Sequence, residues 1–167
     1  MSTFLETILL MLMLLNPFLL VVYLTDIMKK KEMADFAKLL LTSGVIASAI
    51  FIIFAFIGDM IFRDIKTEFA SFQIFGGIIF LIIAIRFVFI GAESAISTLR
   101  ADSRHVSTNI AMPIMVGPGT IGISIYAGNH LSFTLAAGAI FISVFTSLSV
   151  IIGLKLLHDF VRKRTEK

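Results

Sequence analysis

The chain has 167 residues, 58% of them apolar and only 15% charged, with a net charge of +3 and a pI near 9.4. Soluble domains run nearer half apolar and a quarter charged, so a soluble fold of this size is excluded: it could not hide that much apolar surface. The absence of cysteine excludes disulfides and thiolate metal sites. The basic balance marks the cytoplasmic face of a membrane protein better than a nucleic-acid binder, because the charges gather in short stretches between long uncharged runs.

Taken in chain order, five segments are long enough to cross a hydrocarbon core, which needs roughly 20 residues. The first, at 4–25, carries no Lys or Arg before its apolar run, and Glu6 is its only charge until Asp26. With no small-residue cleavage site it reads as a transmembrane helix rather than a cleavable signal peptide. Asn16-Pro17 interrupts it about 12 residues in, or roughly 18 Å at the α-helical rise. The second segment, 38–58, holds Thr42, Ser43 and Ser48 as packing polars. The third, 72–93, holds Arg86, the one basic residue deep in a span. Arg86 lies about 10 Å from the cytoplasmic end and reads either as a snorkelling anchor or as a pathway charge.

The fourth segment, 106–127, contains Pro113 and the break Gly117-Pro118-Gly119-Thr120, again about 12 residues in. Thr120 is expected to cap the half-helix that follows, and Asn109, Ser124 and Tyr126 are further polar positions of this span. The fifth segment, 132–155, carries Ser143, Thr146, Ser147 and Val150 at helical spacing. Its hydroxyls either hold helices together or line a pathway. A charged tail follows, His158-Asp159-Phe160-Val161-Arg162-Lys163-Arg164. The loops are short, so residues 1–167 form one membrane domain, an all-α polytopic transmembrane helix bundle of five spans.

Lys and Arg set the orientation. The loop at 26–38, the loop at 94–105 and the tail from Lys155 hold 11 of them, whereas the opposite side holds only Arg63 and Lys66. The positive-inside rule places the N-terminus outside and the C-terminus in the cytoplasm of a multi-pass plasma-membrane protein. The same count argues against a re-entrant hairpin at 106–127, which would carry the basic tail outside.

All three prolines, Pro17, Pro113 and Pro118, lie inside apolar spans. Each removes a helical hydrogen bond, and in lipid the freed carbonyls must meet protein or line a cavity. Two breaks at equal depth in antiparallel helices suggest an inverted repeat with spans 1–3 as one unit, the architecture that places a substrate where two broken helices meet. Half-helix N-termini offer N–H groups and positive dipole ends to a carboxylate. Freed carbonyls suit an ammonium group or a coupling cation. The bland alternative, a packing kink, suits a lone proline better than Asn-Pro matched by Gly-Pro-Gly-Thr.

Leu15-Asn16-Pro17, Phe75-Gly76-Gly77-Ile78-Ile79-Phe80 and Ala111-Met112-Pro113-Ile114-Met115-Val116-Gly117-Pro118-Gly119-Thr120 together resemble the MarC family, the last stretch being its most specific mark. The resemblance runs from the first span through the fourth. It implies a small inner-membrane protein built as two inverted three-helix units, grouped with amino-acid exporters of the LysE type. Leu19 and Val22 stand where the family usually has a glycine and a second proline. The family usually has six spans, so the 3+3 repeat is expected to be incomplete here, its open face covered by a homo-oligomer or by a partner supplying the missing helix.

The implied function is secondary transport of small neutral amino acids or similar small solutes. Asn16, Pro17, Gly117, Pro118, Gly119 and Thr120 are the candidate substrate-binding residues, and Arg86, Ser124, Ser143 and Thr146 the candidate pathway. The partners expected are the lipid bilayer, a small zwitterion and a coupling cation, not nucleic acid. The rival reading is a non-transporting membrane scaffold or regulatory subunit. No catalytic set is visible, so an enzyme is not expected. His105, His130 and His158 lack ligand spacing, so neither a metal site nor any other cofactor is expected.

Overall fold

The computed structural model describes residues 3–64 and 115–165, together with 71, 74, 77, 78, 81, 82, 85 and 89; the side chains of 58–64, Lys163 and Thr165 are not among what it describes. Arg86, Asn109, Pro113, His105, the loop at 94–105 and most of the third predicted span lie outside the described residues. The isolated described residues between 71 and 89 are helical and all exposed, and their spacing of mostly three and four places them on one helix face. Ile74, Ile78, Leu81, Ile82, Ile85 and Phe89 make that face apolar, as a lipid-facing stripe requires.

The longer described helices are α1 (Thr3–Leu15), α2 (Pro17–Lys30), α3 (Met33–Asp64), α4 (Pro118–His130) and α5 (Phe133–Thr165). Among the described residues three stretches are long and apolar enough to cross a membrane: Thr3–Lys30, Met33–Ile57 and Phe133–Arg162. They match the first, second and fifth predicted spans, and each is longer than its prediction. Of the fourth predicted span only the half from Met115 onward is described, and its helix has 13 residues. The segment His158–Arg164, the charged tail that follows the fifth predicted span, continues α5 to Thr165. No proline or glycine interrupts it, and its apolar Phe160 and Val161 keep it compatible with the interface.

Contacts fix how the helices run. Along the α3–α5 contact, Phe36 lies beside Lys155 and Gly44 beside Val144 and Leu148, while Phe56 meets Phe133. Numbers rise on one helix as they fall on the other, so the two are antiparallel. Along α1, α2 and α5, Phe4 meets Gly138, Ser143 lies near Ile8, and Lys155 reaches Met28. These numbers rise together, so α5 runs parallel to α1 and α2. Helix α4 climbs beside α3 until Gly128 lies against Ala55. A short turn then starts α5 at that same end. The basic residues Lys29, Lys30 and Lys31 therefore share one end of the bundle with Arg162 and Arg164.

The core is a seam of short and branched side chains. Phe36, Leu40, Ser43, Ala47, Phe51 and Ala55 of α3 recur every three or four residues, as do Ala136, Ile140, Val144, Leu148 and Ile151 of α5. That spacing gives each helix one packing face. Lipid tails are as apolar as leucine, so close packing rather than water exclusion must hold the faces together. Small residues permit it. A Cβ at Gly44 would collide with the Leu148 side chain, and one at Gly128 would strike the backbone carbonyl of Ala55. The second collision is the harder one, because a backbone oxygen cannot rotate away.

Candidate functional site

The first break forms because Asn16 stands before a proline. Asn16 adopts φ 33° and ψ 83°, the left-handed region, and among the described residues no other non-glycine residue has positive φ. Asparagine tolerates that conformation because its short amide bonds locally. Here its Oδ1 accepts the Leu19 N–H at 3.2 Å, capping α2. Asn16 N–H still donates to the Leu12 carbonyl at 3.1 Å, and its own carbonyl accepts Leu20 N–H at 3.1 Å. Pro17 has no N–H, so the Met13 carbonyl loses its helical donor. The Asn16 side chain is exposed.

The second break is built differently. Gly117 is extended, at φ −122° and ψ 171°, and Pro118 opens α4 at its first position, where a missing N–H costs nothing. Glycine cannot cap with a side chain, so the third helical residue does the work. Thr120 Oγ1 accepts the Gly117 N–H at 2.9 Å, while its single proton has two carbonyls within reach, Gly117 at 2.9 Å and Met115 at 3.1 Å. Thr120 therefore caps the half-helix as expected, but from inside the first turn rather than from the flanking position. Gly119 is the second residue of α4, so its N–H has no acceptor within the helix.

The two breaks meet. A Cβ on Gly119 would stand 2.9 Å from Leu14 Cδ1, two residues before Asn16. Met115 and Val116 are buried in the same cluster as Met11, Leu15 and Leu20. From this common level α2 runs to the Met28 end and α4 to the Gly128 end. Two half-helices thus begin together and diverge, each presenting its positive dipole end at mid-bundle.

Other sequence-predicted residues separate. Ser124 is buried and donates to the Thr120 carbonyl at 2.7 Å. Ser143 is buried and donates to Ala139 at 2.8 Å, with the Ile8 carbonyl farther off at 3.4 Å. Thr146 is exposed and does not share the buried face of Ser143.

The residues that match the specific motif are those at the two breaks, and a family model described as MarC family integral membrane protein matches residues 1–167. The chain belongs to the MarC family. No curated protein and no solved structure matches it. For a MarC family member the described geometry accounts for the motif: Gly117 and Pro118 shape a helix start, Thr120 completes it, and Gly119 lets α1 approach.

Two features escaped sequence reasoning. Ser48 and Ser147 are buried hydroxyls without a hydrogen-bond partner among the described residues. Nothing in the sequence separates them from Ser43, which donates to Leu39 at 2.9 Å. Lys155 reads as a topology signal, yet it is 1% exposed. Its Nζ donates to the Met28 carbonyl at 2.7 Å, pairs with Asp159 at 3.0 Å, and stands 5.4 Å above the centre of the Phe36 ring. The only hint was its place, four residues before an aspartate on the buried stripe of α5. A surface groove of about 370 Å³ along Leu154, Leu157, His158, Val161 and Arg162 lies on the last turns of α5, away from the breaks. The described residues that line it all belong to one helix.

Proposed function

We propose that this MarC family protein is a secondary transporter of small neutral amino acids or similar small zwitterions, working in the plasma membrane. The observation that carries the reading is the meeting of the two breaks, where Gly119 packs on Leu14. A carboxylate would take the Gly119 N–H at the positive end of α4. The carbonyl of Met13, freed by Pro17, would serve an ammonium group or a coupling cation. Asn16, Pro17, Gly117, Pro118 and Thr120 would shape the site rather than bind directly, since the hydrogen-bonding groups of Asn16 and Thr120 are engaged with backbone.

A second reading is a non-transporting scaffold or regulatory subunit. It is favoured by one observation: the hydroxyls of Thr120, Ser124 and Ser143 all bond to nearby backbone, which is how packing polars behave. Uptake of labelled glycine and alanine into liposomes holding the purified chain separates the two, with and without sodium and proton gradients. Gradient-dependent uptake that Gly119→Leu abolishes, in a protein that still inserts and keeps its helicity, supports transport at the breaks. Absence of flux for every gradient in a well-folded sample supports the scaffold.

A further inference from the structure

Among the described residues Lys155 is the one charged side chain that is buried, and the transport reading gives it no task. Its partners lie on three elements. The Ile27 carbonyl accepts the Lys31 N–H and closes α2, so the Met28 carbonyl is the first at this helix end with no helical donor. A lysine ammonium placed there satisfies an orphan acceptor and complements the negative end of the α2 dipole. Phe36 belongs to the first turn of α3 and offers its ring face to the same ammonium. Asp159, one turn farther along α5, supplies the counter-charge at 3.0 Å and is about a third exposed. One side chain therefore ties the end of α2, the start of α3 and the last third of α5 together at the basic end of the bundle.

We propose that Lys155 is the latch of a gate at this end: with Nζ on the Met28 carbonyl the basic end is closed, and withdrawal of the ammonium lets α5 swing away from α2 and α3. The chemistry suits a latch better than a weld. An ammonium on a four-carbon stem can trade one buried carbonyl for water and for the partly exposed Asp159 without breaking any helix. The opposite end has no such exchangeable contact among the described residues, because there Gly128 and Ala55 meet through backbone. Alternating access needs one end that opens while the other holds. The inference rests on the transporter reading only for what the gate serves; the latch itself is a statement about helix positions.

The test uses the full chain, which is free of cysteine. Spin labels on Lys30→Cys and Leu157→Cys, both exposed, report the α2–α5 separation at the basic end. Labels on Leu5→Cys and Leu135→Cys, also exposed, report the far end. With Lys155 intact, the open form is expected as a minor population of at most about 10%. Lys155→Met should raise the longer distance to a comparable or dominant share at the basic end alone, and Lys155→Arg, which keeps a charged donor, should restore the closed distance.

An unchanged distribution in Lys155→Met overturns the latch, as does equal broadening at both ends, which means general loosening. Where Lys155→Met fails to insert, Asp159→Asn decides by the same distances: it keeps the lysine but removes the group that receives the withdrawn ammonium, so the longer distance at the basic end should lose population, and a gain there overturns the latch. The distances are read without substrate. A chain that opens on cue but carries no amino acid therefore sinks the proposed function and leaves the latch standing.

Discussion

At the end of the bundle where α4 turns into α5, Gly128 lies against the Ala55 backbone and Phe56 meets Phe133 edge to face at 5.9 Å. At the other end α2, α3 and α5 converge on the ammonium of Lys155. The first contact is made by leaving atoms out, and backbone approaches backbone. The second is made by a long charged side chain inserted among helix ends. Shape-driven contact is all-or-none, since a collision with backbone cannot be relieved by rotation. A polar contact can be exchanged for water or a neighbouring carboxylate. The two ends thus differ in the kind of contact that joins their helices, with no difference in secondary structure.

The comparison breaks most directly at Gly128. Gly128→Ala should destabilise the protein by about 3 kcal/mol, the upper part of the range for overpacking, because the added methyl meets a carbonyl rather than a side chain. Thermal unfolding in detergent checks it, and Gly44→Ala should cost less, because the Leu148 side chain can move. Next comes the charged end. Lys155→Met strands the Met28 carbonyl and should cost about 2 kcal/mol in the same assay, with Lys155→Arg closer to the parent.

At mid-bundle, Thr120→Val removes the acceptor of the Gly117 N–H and should cost about 1–2 kcal/mol, whereas Thr120→Ser keeps most of the stability. Asn16→Ala places an ordinary residue at φ 33° and should cost about 1 kcal/mol, with Asn16→Gly milder. A wild-type-like Asn16→Ala would mean that Pro17 alone maintains the break. Smallest is Ser143→Ala: its hydroxyl bonds within its own helix, so a loss of about 0.6 kcal/mol or less is expected.

Much of this was legible in the sequence. The apolar runs dictated helices, since only helices satisfy the backbone in lipid among structures with this pattern, and the three spans among the described residues follow those runs. The breaks were legible too, because proline and glycine act through local backbone chemistry. So was the likeness to the MarC family, carried by Gly117-Pro118-Gly119-Thr120. The end of α5 was less so. A run of charges marks a tail by composition, but nothing in His158–Arg164 stops a helix.

What the sequence determined by itself was therefore local: which segments are apolar, where the helical hydrogen bonding must fail, and which end of the chain is basic. Only the tertiary structure decided which residues meet. That Gly119 packs on Leu14, that Gly128 admits the Ala55 carbonyl, that Ser147 is buried with no partner among the described residues while Thr146 is exposed, and that Lys155 is buried in the bundle all depend on the direction in which a neighbouring helix approaches. Period and composition give a helix its faces. The partner of each face is set by packing between segments more than a hundred residues apart, as with Lys155 and Met28.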